Sequence, residues 1–300
     1  MSTLTAHKAV TVPWVKAQKG KQKITMLTAY DYPTAVLLDE CGIDILLVGD
    51  SVATVIYGEP NTLSITMDDM LRHTTAVSRG AKRALVLGDM PFMSYQVSKE
   101  LALMNAGRFL KEAHAQAIKL EGGTEVAPTV QTITRAGIPV VGHIGLTPQT
   151  INAMGSYRMH GKTQEEKSYL MESAKALFEA GAFAVVLECV EENLALEISQ
   201  SIPIPTIGIG SGAQCDGQVL VVHDLVGLTI GRVPKFVQPE ATLREPFKQA
   251  VSAYISRTLD QPGENPGLVA PPPTAPLVPP AIHDEPSEKT EKRGDLAAHR

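Results

Sequence analysis

Three hundred residues, 44% of them hydrophobic, are enough to bury a sizeable core and exclude a chain disordered throughout. A formal net charge of -5, with the signs interspersed and no Lys/Arg cluster among aromatics, argues against nucleic acid as a partner. No apolar run approaches the roughly 20 residues of a bilayer span and no signal-peptide core opens the chain, so a soluble cytoplasmic protein without a membrane partner is expected.

The first 30 residues carry neither an acid nor an Arg and run straight into strand-like sequence; they read as a lead-in helix. From Lys23 onward, short β-branched runs alternate with longer amphipathic stretches, the pattern of successive βα units around a parallel sheet. Strands are expected at 24–29, 45–50, 85–90, 117–122, 140–145, 184–189 and 205–210, with a short eighth at 235–237. Helices with an apolar stripe are expected at 67–82, 99–114, 125–136 and 165–180. Eight units in about 240 residues fit the α/β class and a (β/α)8 TIM-type barrel. An open doubly wound sheet is the alternative, but Gly208-Ile209-Gly210-Ser211-Gly212 lacks the spacing and acidic partner of a dinucleotide-binding turn. Residues 1–260 are therefore read as the catalytic barrel. Residues 261–300 hold nine of the 21 prolines, no aromatic and a Glu/Lys-rich end, and are read as a disordered tail. Cys41, Cys189 and Cys215, far apart and odd in number, suggest neither a disulfide framework nor a thiolate metal site.

Buried parallel strands should be continuously apolar, yet several here finish in an ionisable residue. Leu47-Val48-Gly49-Asp50 and Val86-Leu87-Gly88-Asp89 each place a carboxylate at the end of a buried strand, where leaving it unpaired costs several kcal/mol. In Ile118-Lys119-Leu120-Glu121, period-two alternation puts Lys119 and Glu121 on one face, the barrel mouth if Leu120 faces the helices. Asp50, Asp89 and Glu121 offer oxygens suited to Mg²⁺ rather than zinc, and Lys119 suits a substrate carboxylate. Gly142-His143 ends the fifth strand, and Glu188 follows Val185-Val186-Leu187, a setting suited to a general base. Each has a bland reading alone: Asp50 or Asp89 as a helix cap, Lys119 paired structurally with Glu121, His143 as a satisfied core histidine, Glu188 opening an acidic helix turn with Glu191 and Glu192. Five consecutive strands with ionisable ends, at the end where barrel enzymes keep their chemistry, favour an active site.

The motifs Thr28-Ala29-Tyr30-Asp31-Tyr32, Val48-Gly49-Asp50-Ser51, Asp89-Met90-Pro91-Phe92, Lys119-Leu120-Glu121-Gly122-Gly123, Gly142-His143-Ile144-Gly145-Leu146-Thr147-Pro148-Gln149, Leu187-Glu188-Cys189 and Asp216-Gly217-Gln218 strongly resemble the ketopantoate hydroxymethyltransferase family over about residues 10–255. The resemblance implies a barrel of the phosphoenolpyruvate mutase-like superfamily that transfers a one-carbon unit from 5,10-methylenetetrahydrofolate to 3-methyl-2-oxobutanoate, giving 2-dehydropantoate on the way to pantothenate and coenzyme A. It also implies Mg²⁺ at Asp50, Asp89 and Glu121, keto-acid contacts at Asp50, Ser51, Asp89 and Lys119, a pocket histidine at His143, Glu188 as proton acceptor, and a homodecamer. Two departures stand beside the site: Glu191 or its neighbour where the family usually has Pro, and Ser211 where it has Ala. No short motif reports pterin binding. The competing readings are a Mg²⁺-dependent 2-keto acid aldolase or lyase of the same superfamily, which would need no folate, and a catalytically silent barrel, which would turn nothing over.

Overall fold

The computed structural model describes residues 8–231 and 233–260. Strands β1 (Ile24–Thr28), β2 (Ile45–Val48), β3 (Leu85–Asp89), β4 (Ala117–Glu121), β5 (Val140–Gly145), β6 (Ala184–Glu188), β7 (Thr206–Ile209) and β8 (Gly217–Leu220) pair in sequence order into a closed parallel barrel. The helices, in chain order, are α1 (Val12–Ala17), α2 (Tyr32–Glu40), α3 (Val52–Val55), α4 (Met67–Gly80), α5 (Lys99–Lys111), α6 (Ala127–Arg135), α7 (Ile151–Met154), α8 (Gln164–Glu179), α9 (Glu192–Ser201), α10 (Val222–Leu225) and α11 (Arg244–Asp260). The chain divides into two compact units after Pro246; the first holds the barrel and the second, from Phe247, holds most of α11. The Pro-rich segment 261–300 lies outside the described residues. Among the described residues no helix is long and apolar enough to cross a membrane.

Local sequence explains where the helices begin. In α4, Thr66 caps the backbone of Asp69 while the Asp69 side chain accepts from the Thr66 backbone, a reciprocal capping box. Thr163 and Asp31 cap α8 and α2 in the same way with one side chain each. Seven strands lie where the β-branched runs put them, but the eighth does not. It is Gly217–Leu220, paired with β1 from Ile24↔Gly217 to Leu27↔Leu220, whereas 235–237 is loop. The link from β7 to β8 carries no helix, so the βα spacing that located the other strands overshoots here. Gly217 is required at the join because a side chain there would run into the Ile24 carbonyl. The expected lead-in helix is also shorter than the segment assigned to it, occupying only Val12–Ala17.

Period-two alternation sorts the barrel into two layers. Leu46, Val48, Val86, Ile118, Leu120, Val140, Val185 and Leu187 pack with the helices in one apolar cluster. Ile24, Met26, Ile45, Leu47, Leu85, Leu87, Ala117, Val141, Ala184, Val186, Ile207 and Val219 form a second cluster inside the barrel, joined by Val10 and Val15 of the lead-in segment. Continuing the inward parity, Leu85 and Leu87 are followed by Asp89, Ala117 by Lys119 and Glu121, Val141 by His143, and Ala184 and Val186 by Glu188. The interior is thus apolar below and ionisable at the strands' C-terminal ends.

Asp216, immediately before β8, stitches the lower end together. Its carboxylate accepts from Lys19 Nζ at 2.8 Å, Gly20 N at 3.0 Å and Thr206 N at 2.9 Å, tying the turn after α1 to the start of β7. Burial opposes its ionisation, but Lys19 and these backbone N–H groups hold its pKa below the ordinary carboxylate range. A depressed folded pKa means that the stabilisation is present above the unfolded value of about 4 and fades as pH falls through the folded value. Asp216→Asn is expected to lower stability at pH 7 by about 1–3 kcal/mol, with the gap to wild type narrowing progressively below about pH 4. Urea unfolding across that pH range measures both, and equal midpoints at pH 7 would remove the clamp.

Candidate active site

All seven residues singled out from the sequence, Asp50, Ser51, Asp89, Lys119, Glu121, His143 and Glu188, line one cavity at the C-terminal ends of the strands. Strand register sets the neighbours: Asp89 lies opposite Lys119, Glu121 opposite His143, and Glu188 opposite Gly145. Lys119 Nζ is 2.8 Å from Asp89 Oδ1 and 3.8 Å from Glu121 Oε1. His143 bridges two acids, Nδ1 lying 3.3 Å from Glu121 Oε1 and Nε2 lying 3.2 Å from Glu188 Oε2. Asp50 reaches the group differently. It follows the end of β2 rather than sitting on the inward parity, and its backbone N donates to Asp89 Oδ2 at 3.1 Å. Neither Asp50 nor Asp89 caps a helix: Ser51 precedes α3 and Ser98 caps α5. Ser51 Oγ is instead paired with the Tyr30 hydroxyl at 2.8 Å.

These groups are buried, Asp89 to 1% exposure and Lys119 to 3%, so their charges are set by one another. Burial, then the charges of Asp89 and Glu121, raises Asp50 well above the ordinary carboxylate range. Burial also raises Asp89, against the pull of Lys119. In Glu121 burial is outweighed by His143 and Lys119, which hold its pKa low. Burial works against the Lys119 cation too, but Asp89, Glu121 and Asp50 more than offset it and keep the ammonium charged. Burial and the Lys119 charge oppose protonation of His143, yet the flanking Glu121 and Glu188 carboxylates lift its pKa to about 9. The ring lies between the two carboxylates, with Nδ1 also 3.2 Å from Lys119 Nζ and Nε2 making no hydrogen bond in this arrangement.

The donor set fits a hard divalent ion by chemistry. Three buried carboxyls face two cations, one carboxyl is driven toward its protonated form, and Asp89 Oδ1, although beside Lys119, has no hydrogen-bond partner. In this arrangement the acids are drawn to Lys119, His143 and Gln149; among the described residues, no three His, Cys, Asp or Glu side chains are grouped so as to hold a metal ion. The cavity, about 120 Å³, is well below the several hundred Å³ of pockets for larger ligands and suits a small acid.

Reading the sequence missed three further residues. Thr62 lines the cavity with a buried hydroxyl that has no partner. Gln149 and Tyr95, both about 2% exposed, hydrogen-bond to the acids or their backbone. The signal for Gln149 was its place at the end of the motif that begins at Gly142-His143; Tyr95 and Thr62 lie in loops with no motif around them.

A model of the family described as ketopantoate hydroxymethyltransferase matches residues 9–262. A 3-methyl-2-oxobutanoate hydroxymethyltransferase of Syntrophobacter fumaroxidans is 58% identical over 245 residues, 82% of this chain and 87% of the relative. One of Enterococcus faecalis is 52% identical over 253 residues, 84% of this chain and 92% of its own length. Among solved structures, the chain is similar to a 2,3-dimethylmalate lyase, a PEP mutase/isocitrate lyase superfamily member, with a TM-score of 0.56 at 14% identity over 86% of this chain and 91% of that one. A phosphoenolpyruvate phosphomutase from Streptomyces platensis subsp. rosaceus gives a TM-score of 0.57 at 15% identity, covering 83% of this chain and 88% of that one. At such identities these structures speak for the fold alone, a (β/α)8 barrel.

The two departures from the usual motifs flank Glu188. Glu191 caps α9, accepting from Leu194 N at 3.1 Å. Ser211, 1% exposed, donates to the Leu187 carbonyl at 2.8 Å and accepts from Val190 N at 2.9 Å, spanning Glu188 and Cys189. Cys189 holds a left-handed φ of 49°, and burial followed by the Glu188 charge raises its thiol to about 11, so it stays protonated at neutral pH. On the other side a side chain on Gly145, at φ 98°, would run into the Glu188 carbonyl. Ser211→Ala leaves a buried N–H and a buried carbonyl without their partner and is expected to cost about 1–3 kcal/mol. An unchanged unfolding midpoint would mean that water or a small backbone shift replaces the hydroxyl.

Proposed function

This chain belongs to the ketopantoate hydroxymethyltransferase family, and from that membership we propose that it moves a one-carbon unit from 5,10-methylenetetrahydrofolate to 3-methyl-2-oxobutanoate, giving 2-dehydropantoate for pantothenate and coenzyme A synthesis. The observation that carries the reading is the convergence on one small cavity of a buried lysine, three acids, a histidine and a separate glutamate from five successive strands. Asp50, Asp89 and Glu121 are the residues that would hold Mg²⁺. When bound, that ion would polarise the keto oxygen and stabilise the negative charge developing there.

Lys119, kept cationic by the acids around it, offsets the carboxylate of the keto acid, while Asp50, Ser51 and Asp89 position its polar end. Glu188 is the base. It takes the proton from C3, and His143, 3.2 Å from its Oε2, orients the carboxylate for that task. The carbon left with the electron pair forms a bond to the folate-borne methylene, whose bond to N10 breaks as N10 takes a proton; water then displaces N5, which takes the second proton, releasing tetrahydrofolate and leaving the hydroxymethyl group on C3. A cavity of about 120 Å³ accommodates the acid and leaves the folate to approach from its mouth. Family membership also supports a cytoplasmic homo-oligomer, a homodecamer by likeness, with neither nucleic acid nor membrane as a partner.

Turnover of 3-methyl-2-oxobutanoate with methylenetetrahydrofolate and Mg²⁺, and its loss when folate is omitted, tests the reaction. Carbon–carbon bond making or breaking on keto acids without folate would favour a lyase instead. For the base, Glu188→Gln is expected to slow exchange of the C3 proton of the keto acid by about 10²–10⁴-fold while sparing metal binding. Wild-type exchange in that variant would take Glu188 out of the role.

A further inference from the structure

Gln149 is the most fully used polar side chain at the site. It stands in the 3-10 turn Pro148–Thr150 after β5 and is 2% exposed. Its Nε2 donates to Asp50 Oδ2 at 3.0 Å and to the Met90 carbonyl at 2.9 Å. Its Oε1 accepts from the Tyr95 hydroxyl at 2.7 Å, and its backbone N donates to Glu121 Oε2 at 3.0 Å. One residue therefore grips two of the three acids, one through its side chain and the other through its main chain.

The amide has a single workable orientation. A carbonyl can only accept, so the atom facing Met90 must be the nitrogen, which places a second N–H on Asp50. Tyr95 fixes the other end. Glu121 N donates to the Tyr95 oxygen at 3.1 Å, and of the two acceptors within reach of the hydroxyl proton, the Glu121 carbonyl at 3.1 Å and Gln149 Oε1 at 2.7 Å, the amide oxygen is the nearer. Neither residue carries a charge, and neither is among the groups assigned to bind substrate or ion.

We propose that Gln149, oriented by Tyr95, is a positioning residue that sets the spacing and facing of the Asp50 and Glu121 carboxylates for the ion and the keto acid. This rests on the proposed role of those acids. Outer partners of this kind usually tune metal affinity or activity by about 10–100-fold when removed. The consequence lies in ligand presentation rather than in proton transfer: without the amide, Asp50 Oδ2 loses the bond that fixes it relative to Glu121, which the Gln149 backbone N–H still holds to the same turn.

The test uses the full chain with 3-methyl-2-oxobutanoate present, titrated calorimetrically with Mg²⁺ and compared with a thermal melt of the metal-free protein. Gln149→Met, close in shape and without hydrogen bonds, is expected to weaken Mg²⁺ binding about 10–100-fold and to raise KM for the keto acid more than it lowers kcat. Tyr95→Phe, which frees the amide to rotate, is expected to weaken it about tenfold and carries the test should Gln149→Met fail to fold. A lower melting temperature with wild-type Mg²⁺ affinity and KM would reduce both residues to structural roles and overturn the inference. Wild-type protein that takes up no Mg²⁺ would instead overturn the assignment of the acids, and the inference with it.

Discussion

A lysine ammonium buried among carboxylates is the interaction on which the arrangement of the site depends. An isolated charge at 3% exposure is prohibitively costly, and removing one partner of a buried pair typically costs about 3–5 kcal/mol because the other is left uncompensated. Lys119 therefore needs Asp89 and Glu121, and they need it. This mutual need ties the chemistry to barrel register. Asp89 meets Lys119 because β3 and β4 pair as they do, and a slip of one residue would turn the lysine into the apolar helix layer and Leu120 into the charged mouth.

The same alternation that buries the charges also isolates them. Below the site, Leu85, Leu87, Ala117, Val141 and Val186 fill the interior with side chains that carry no charge. The lower layers hold the barrel together, and the top layer is left to polar groups that would be poor core residues anywhere else. Glu188 belongs to this scheme by parity but is less enclosed, its side chain 19% exposed, so the group assigned to proton transfer stands nearer the opening than those assigned to hold the acid.

Much of this was legible in the chain. Seven strands and the inward parity of Asp89, Lys119, Glu121, His143 and Glu188 follow from β-branched runs and from counting by twos. The eighth strand was not, because Gly217-Gln218 looks like loop and its place is dictated by the Ile24 backbone far away in sequence. Asp50 was found by its motif, not by alternation, since it lies past the end of β2 and is placed by a bond to Asp89. Gln149 and Tyr95 stayed hidden for a different reason. Neutral side chains give no charge signal, and their partners lie 99, 59, 54 and 26 positions away along the chain. Ser211 was marked only as an oddity, and its bonds on either side of Glu188 supply the physical content.

Val10 and Val15 share one apolar cluster with Ile24, Ile45, Leu85 and Phe183 where the strands begin, and Val10 N donates to the Arg83 carbonyl at 2.8 Å. The interior above them is filled by apolar side chains, so the lead-in segment and the cavity that holds the charged groups lie at opposite ends of the same strands.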